Sequence, residues 1–355
     1  RLAIVFHDPA RAPMRVMSRT EFARRWQPAG RWMAVVLPGP ENVTNAPVPA
    51  VGVVRPLSAC EQLVADGIAS AHAGDLQAAE RLLTAALDCA PVAAQRELAG
   101  VRLLQRRWPD AETLATGALD LDPADAQAWR LLGTSRFVQN DAIGALAAWN
   151  HVSEPRIDIV RVAGLERTRQ RVIEGVLDIQ SGEVLAPASF IRARRRLEDV
   201  PASVGWRLEY VPVPGGLAEL RATIVERRAS ADAWTYAAMG AIAAARREIE
   251  YSLPPLSGGG ERLTAGWRFW PDRPRYSLAF TAPAPWGGLW STTFISERQP
   301  FDAAGLPRAE RTAAELQVSN WIASTAHLSF SGGLADWNPA GVLATAGMTV
   351  RLRSA

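Results

Sequence analysis

Small residues recur in register through the first half of this chain. Gly67, Ala99 and Gly133 stand 32 and 34 residues apart, and twelve residues after each come Ala79, Ala111 and Ala145. Seven further on are Ala86, Ala118 and Val152, and Pro91 and Pro123 close the first two repeats. The third begins Trp129-x-x-Leu132-Gly133 and carries Trp149. A period of this length belongs to stacked helix-turn-helix units. Two antiparallel helices approach closely only where the facing side chains are small, so the spacing predicts helical hairpins over residues 57–155.

These positions resemble a tetratricopeptide array of three repeats. Such arrays bind a peptide or protein partner along the concave face formed by their first helices. By repeat position Arg96, Gln127, Arg130 and Thr134 point there, or else form part of the solvated face. Cys60 opens the first helix of repeat one and Cys89 closes its second. Antiparallel pairing brings these ends together, which suits a disulfide in an oxidising compartment or two separate buried thiols.

Composition excludes several classes. With 355 residues, 48% apolar and 21% charged, the chain is too long for one ordinary domain and too apolar for general disorder. The net charge is +3, but all 39 basic residues are Arg and they scatter among 36 acids without forming a stripe. No nucleic-acid partner is expected. Two Cys exclude a disulfide scaffold, and four distant His argue against a metal site; no cofactor is expected. No apolar run reaches the ~20 residues of a membrane helix; the best is Ala233–Ala245, mostly Ala.

Residues 156–228 read as strand, helix, helix, strand, strand. Ile157–Val162 alternates, Thr168–Ile179 and 187–199 are helical, and Trp206–Val211 and Leu217–Val225 flank a Gly215-Gly216 turn. With "GEVLAPASFIRARRRLEDVP" and "LEYVPVPGGLAELRATIVER", this segment resembles a polypeptide-transport-associated (POTRA) domain. The resemblance implies a periplasmic module whose sheet edge accepts a client strand; an unrelated α+β module is the alternative.

Residues 233–355 hold 15 of the 26 aromatic residues. Parity separates them cleanly. Leu263, Ala265, Trp267 and Phe269 share a face, as do Tyr276, Leu278, Phe280 and Ala282, then Ala326, Leu328, Phe330 and Leu334, and finally Val342 to Leu352 by twos. Their neighbours are Thr, Ser, Gly, Arg and His. About seven such segments are each long enough to cross a bilayer when tilted, and Trp267, Trp270, Trp286, Trp290, Trp321 and Trp337 sit at strand ends or turns, as an interfacial girdle requires. The expectation is an antiparallel, incomplete transmembrane β-barrel, with a soluble sandwich as the alternative. A POTRA-like module ahead of barrel strands resembles outer-membrane assembly factors and two-partner secretion transporters, from which the repeat array departs.

Residues 1–38 resemble the last part of a papain-like peptidase domain of the double-glycine leader type. They run strand, Asp8-Pro9, Ser18-x-x-Glu21-Phe22-x-x-x-Trp26, then a strand to Pro38. In that family the Asp of the Asp-Pro pair orients a catalytic His, and Asp8 matches it; the Cys and His of the triad have no match in this sequence. Otherwise Asp8 simply starts a turn. Residues 39–56 read as an extended linker. The chain opens and closes in mid-strand, the expected look of a fragment.

The whole is expected to be multidomain: repeats, α+β module, partial barrel. It reads as an outer-membrane scaffold with its N-terminal part in the periplasm, holding a peptide or protein client, with outer-membrane lipid around the barrel. The alternatives are a cysteine peptidase completed by residues upstream and a soluble interaction scaffold. No peptidase activity is expected of these residues alone.

Overall fold

The computed structural model describes residues 3–8, 12–18, 57–227, 233–253, 255–299, 309–338 and 340–354. The chain divides into two units, residues 1–56 and 57–355.

In the first unit β1 (Ala3–Asp8) and β2 (Ala12–Ser18) pair as an antiparallel hairpin, Ala3 opposite Ser18, with a bulge between Phe6 and Asp8. Asp8 thus closes β1. The strand over Ala12–Ser18 was not foreseen. The remainder of the Ser18-to-Trp26 pattern, the expected strand to Pro38 and the linker 39–56 lie outside the described residues.

The second unit opens with six helices: α1 (Ala59–His72), α2 (Leu76–Ala85), α3 (Pro91–Leu104), α4 (Trp108–Leu121), α5 (Ala126–Val138) and α6 (Ala142–Asn150). They form three antiparallel hairpins whose first helices lie side by side. Local chemistry sets their starts. Ser58 and Glu61 close a capping box on α1, Asp75, Asp125 and Asp141 cap α2, α5 and α6, and Pro91 begins α3. The small residues sit where helices touch. A β-carbon on Gly67 would meet Leu83 at 2.7 Å, and one on Gly133 would meet the Trp149 indole at 2.4 Å. Ala79, Ala86, Ala99, Ala111, Ala118 and Ala145 are fully buried.

Next comes an α+β module. It consists of β3 (Arg156–Ala163), α7 (Gln170–Leu177), α8 (Pro187–Glu198), β4 (Ser203–Val213) and β5 (Leu217–Glu226). The sheet order is β3-β5-β4, with β3 parallel to the central β5 and β4 antiparallel to it. Alternation along β5 sends Ala218, Leu220, Ala222 and Ile224 into the core beneath Ile173, Val176, Phe190 and Leu197 of the helices. That core also includes Ala145, Leu146 and Trp149 of α6, and the Tyr210 hydroxyl donates to the Ala142 carbonyl at 2.7 Å. The last repeat and the module are therefore packed on one another through a shared apolar cluster.

Helix α9 (Ala233–Arg246) leads into β6 (Glu248–Leu253), β7 (Arg262–Arg268), β8 (Arg275–Pro283), β9 (Leu289–Gln299), β10 (Ala309–Trp321), β11 (Ala326–Asn338) and β12 (Gly341–Leu352). These seven strands form one antiparallel meander in chain order, open between β6 and β12 among the described residues. The sheet region was expected to begin at 233. Its first fourteen residues are helical instead, because eight of them are Ala or Gly and none is the β-branched alternation of a strand.

Candidate functional site

On the helical array, the four residues expected on the binding face come together on the first helices, Arg96 on α3 and Gln127, Arg130 and Thr134 on α5. Arg96 bonds Asp125 at 3.0 Å and Glu97 at 2.9 Å, while Asp125 also caps α5 through the Gln127 and Ala128 amides. Burial works against the Arg96 charge, but Glu97 and Asp125 more than offset it and hold its pKa up. Arg130 forks onto Glu154 at 3.0–3.2 Å, and Thr134 donates to the Arg130 carbonyl at 2.8 Å. Gln127 is exposed between them. Both arginines thus tie one repeat to the next element as well as facing solvent. Cys60 and Cys89 are joined in a disulfide, so neither offers a thiolate.

In the module, β4 is an edge strand, with Val204 exposed on it and Pro212 removing one donor near its end. The outward face carries an ionic lattice, Glu219 bridging Arg161 and Arg221 and Arg207 meeting Glu209 at 2.8 Å. Glu226, at the end of β5, is buried and accepts the amides of Glu166, Arg167 and Thr168 at 2.8–3.2 Å. Burial alone would raise its pKa; these hydrogen bonds outweigh it and hold the carboxyl below the usual range.

The α8 C-terminus meets one end of the meander. Arg196 is 6% exposed and donates to Asp178 at 2.9 Å, to the Asn320 side chain at 3.0 Å and to the Trp321 carbonyl at 3.3 Å. Arg195 lies over the Trp321 ring at 4.6 Å and bonds the Ser354 carbonyl. The Trp321 indole donates to Asp199 at 2.8 Å, and Arg353 reaches Glu198 at 3.2 Å. Burial raises the Asp199 pKa against the pull of that indole. Two tight turns complete the joint. Gly258, at positive φ, accepts the Arg169 amide at 2.9 Å, and Gly287, also at positive φ, leaves no room for a β-carbon beside Arg196. Sequence reading missed this joint. Arg194-Arg195-Arg196 has the look of a solvated run, and only the fold shows that two of its members are buried.

The meander is sharply two-faced. One cross-strand row reads Tyr251, Ala265, Leu278, Phe294, Ala314, Leu334, Ala344; a parallel row nearer the module reads Ala282, Trp290, Val318, Phe330, Met348. The opposite face reads Ser252, Thr264, Ala279, Thr293, Glu315, Gly333, Thr345. These are the face assignments that alternation predicted. Leu278, Phe294, Leu316, Phe330, Leu334, Met348 and Leu352 are 44–76% exposed. On β11 the apolar side chains run from Leu334 to Ala326, about 26 Å along the strand at ~3.3 Å per residue.

The tryptophans follow this layout only in part. Trp267, stacked on Tyr276 at 6.1 Å, and Trp290, against Phe280 at 5.0 Å, share the apolar face near its two ends. Trp321 is buried in the joint and Trp337 lies in a polar-face row under Arg311, so neither belongs to an outer girdle. Register decides this: each falls one step out of phase with the apolar residues of its strand.

Among the described residues no helix is long and apolar enough to cross a membrane, which says nothing of strands, and no group of three His, Cys, Asp or Glu is placed to hold a metal. No protein-family model and no curated protein matches the chain. Solved structures match parts of it. The second TPR domain of Spaghetti (RPAP3), bound to an HSP90 peptide, is 19% identical over 26% of this chain and 88% of its own, with a TM-score of 0.26. The Sgt2 TPR domain from Aspergillus fumigatus is 27% identical over 28% of this chain and 66% of its own, with a TM-score of 0.27. BamA from Haemophilus ducreyi lacking POTRA domains 1–3 is 13% identical over 51% of this chain, with a TM-score of 0.32; the match spans 35% of that BamA chain. With TM-scores this low, the functional reading rests on the chain's own geometry.

Proposed function

We propose that this chain is an outer-membrane-anchored scaffold, its helical repeats and POTRA-like module on the periplasmic side holding a peptide or client polypeptide next to the strands. The observation that carries this is the exposed apolar face. A contiguous surface of Leu, Phe, Met, Val and aromatic side chains across seven strands is far beyond what a soluble sheet leaves in water. Its height is close to the ~25 Å apolar band of membrane β-barrels. Client capture rests on two features: the exposed face of α3 and α5 around Gln127, and the free edge of β4, which can add a strand. The Cys60–Cys89 disulfide fits an oxidising compartment. Nothing in this reading requires covalent chemistry.

Fractionation of the full-length protein from a Gram-negative host tests it. The expected result is recovery with outer membranes, resistant to carbonate and released by detergent. Recovery of folded protein in the soluble fraction without detergent overturns the membrane reading.

A further inference from the structure

At the end of the meander remote from the module, one polar-face row carries Arg268, Arg275, Glu297, Arg311 and Trp337 on five adjacent strands. Glu297 has a side chain 5% exposed and meets Arg311 at 3.0 Å, Arg275 at 3.9 Å and Arg268 at 4.0 Å. The Gln299 amide also donates to it, at 2.9 Å. Glu248 stands opposite Arg268 across β6 and β7 without an ion pair to it among the described residues. Three guanidinium groups therefore converge on one buried carboxylate whose acceptor sites are already shared.

Two features set this row apart from an ordinary ion-pair lattice. Arg268 and Arg275 lie directly opposite one another, a like-charge pairing that destabilises a ladder, and the Glu297 carboxylate between them stands 3.9–4.0 Å away and is engaged more closely by Arg311, at 3.0 Å. The Nε–H groups of Arg275 and Arg311 are buried and have no acceptor among the described residues, although each such orphaned donor carries a desolvation cost. The row also opens on a cavity walled by these arginines, Trp270 and Gln299. Arg268 lies 5.2 Å from the Trp270 ring centre and Arg311 5.3 Å from that of Trp337, contacts that fix the guanidinium planes.

We propose that this row is a binding site for an oxyanion group, the planar or tetrahedral acceptor cluster of a carboxylate, sulfate or phosphate. Such a group supplies several acceptors at once, matches the forked donors of arginine and separates the facing charges. The site needs only the polar face and the arginine row, so it stands or falls apart from the membrane reading.

Isothermal titration of the full chain in detergent with sodium sulfate and with trigalacturonate tests it. The expected result is saturable binding, weakened about tenfold or more by Arg275→Gln and by Arg311→Gln, in line with the loss of a charge-assisted hydrogen bond. Glu297→Gln, which removes the internal competitor, strengthens binding severalfold. Trigalacturonate binding at least tenfold tighter than sulfate identifies an acidic polymer as the source of the group, and equal affinities a free small anion. The proposal is overturned if neither probe binds, or if both arginine variants, shown to be folded by circular dichroism, bind as the parent does. Should Glu297→Gln fail to fold, the arginine variants decide alone.

Discussion

Gly133 shows how little room the helical hairpins leave. A β-carbon there lies 2.4 Å from the Trp149 indole, so Gly133→Ala must displace a buried ring that also packs on Phe137 and Tyr210. Alanine gains up to ~1 kcal/mol of helix propensity, but overpacking costs ~1–3 kcal/mol, and the clash should win. Gly175, in α7, has nothing within 4 Å of its β-carbon position, so Gly175→Ala should stabilise by up to ~1 kcal/mol. Opposite shifts of the denaturation midpoint check the pair. Glu226 supplies a pH dependence. Its folded pKa is lowered, so its contribution is complete above the unfolded glutamate pKa, ~4.3, and is lost as pH falls through the lower folded value. Glu226→Gln should lower stability at pH 7 and flatten the acid limb of the unfolding profile. An unchanged limb would show that the three amides bind a neutral group equally well.

At the scale of elements, the disulfide and the two-faced strands make separate predictions. Cys60 and Cys89 are 29 residues apart, and closing a loop of that length restrains the unfolded chain by ~3–4 kcal/mol. Cys60→Ser with Cys89→Ser should cost about that much in the helical transition while leaving the strands intact. Leu316 and Gln317 are neighbours on β10 with side chains on opposite faces, both exposed. If the apolar face meets lipid, Leu316→Arg costs ~2–4 kcal/mol near the bilayer midplane and Gln317→Arg almost nothing. Equal tolerance of both in a membrane refolding titration would place that face in water. Much of this was legible in the sequence because each signal is periodic. Ala79, Ala111 and Ala145 repeat with the helical unit, and Leu278, Phe280 and Ala282 alternate with the pleat. Helix α9 was not placed, since Ala-rich apolar runs lack either period. Strand β2 was missed because its alternation, Ala12, Met14 and Val16, is only three residues long, is interrupted by Met17 on the opposite parity and carries a Pro at its second position.

For the whole molecule, the decisive contacts lie where periodic signals say nothing. Arg195, Arg196 and Asp199 stand at the end of a helix legible from local sequence, but their partners Asn320, Trp321 and Ser354 lie more than a hundred residues away. No local pattern links such residues; burial of Arg196 follows only from docking the module on the strand ends. The six residues from 227 to 232 tether the module to α9, so this joint decides the module's orientation over the strand ends rather than its nearness to them. Removing a buried, hydrogen-bonded charge from such a joint costs ~3–5 kcal/mol, since Asn320, the Trp321 carbonyl and Asp178 lose their common donor. Arg196→Met keeps the bulk of the side chain and deletes the charge. It should leave the helical melting transition unchanged while speeding amide exchange in residues 195–199 and 319–322 by tenfold or more. Arg194→Met, at an exposed position two residues away that touches Trp206 instead, should leave exchange at both segments as it was. If Arg196→Met also leaves it unchanged, the module is held by its apolar contacts and the backbone bond from Arg169 to Gly258, and the arginine is incidental to the docking.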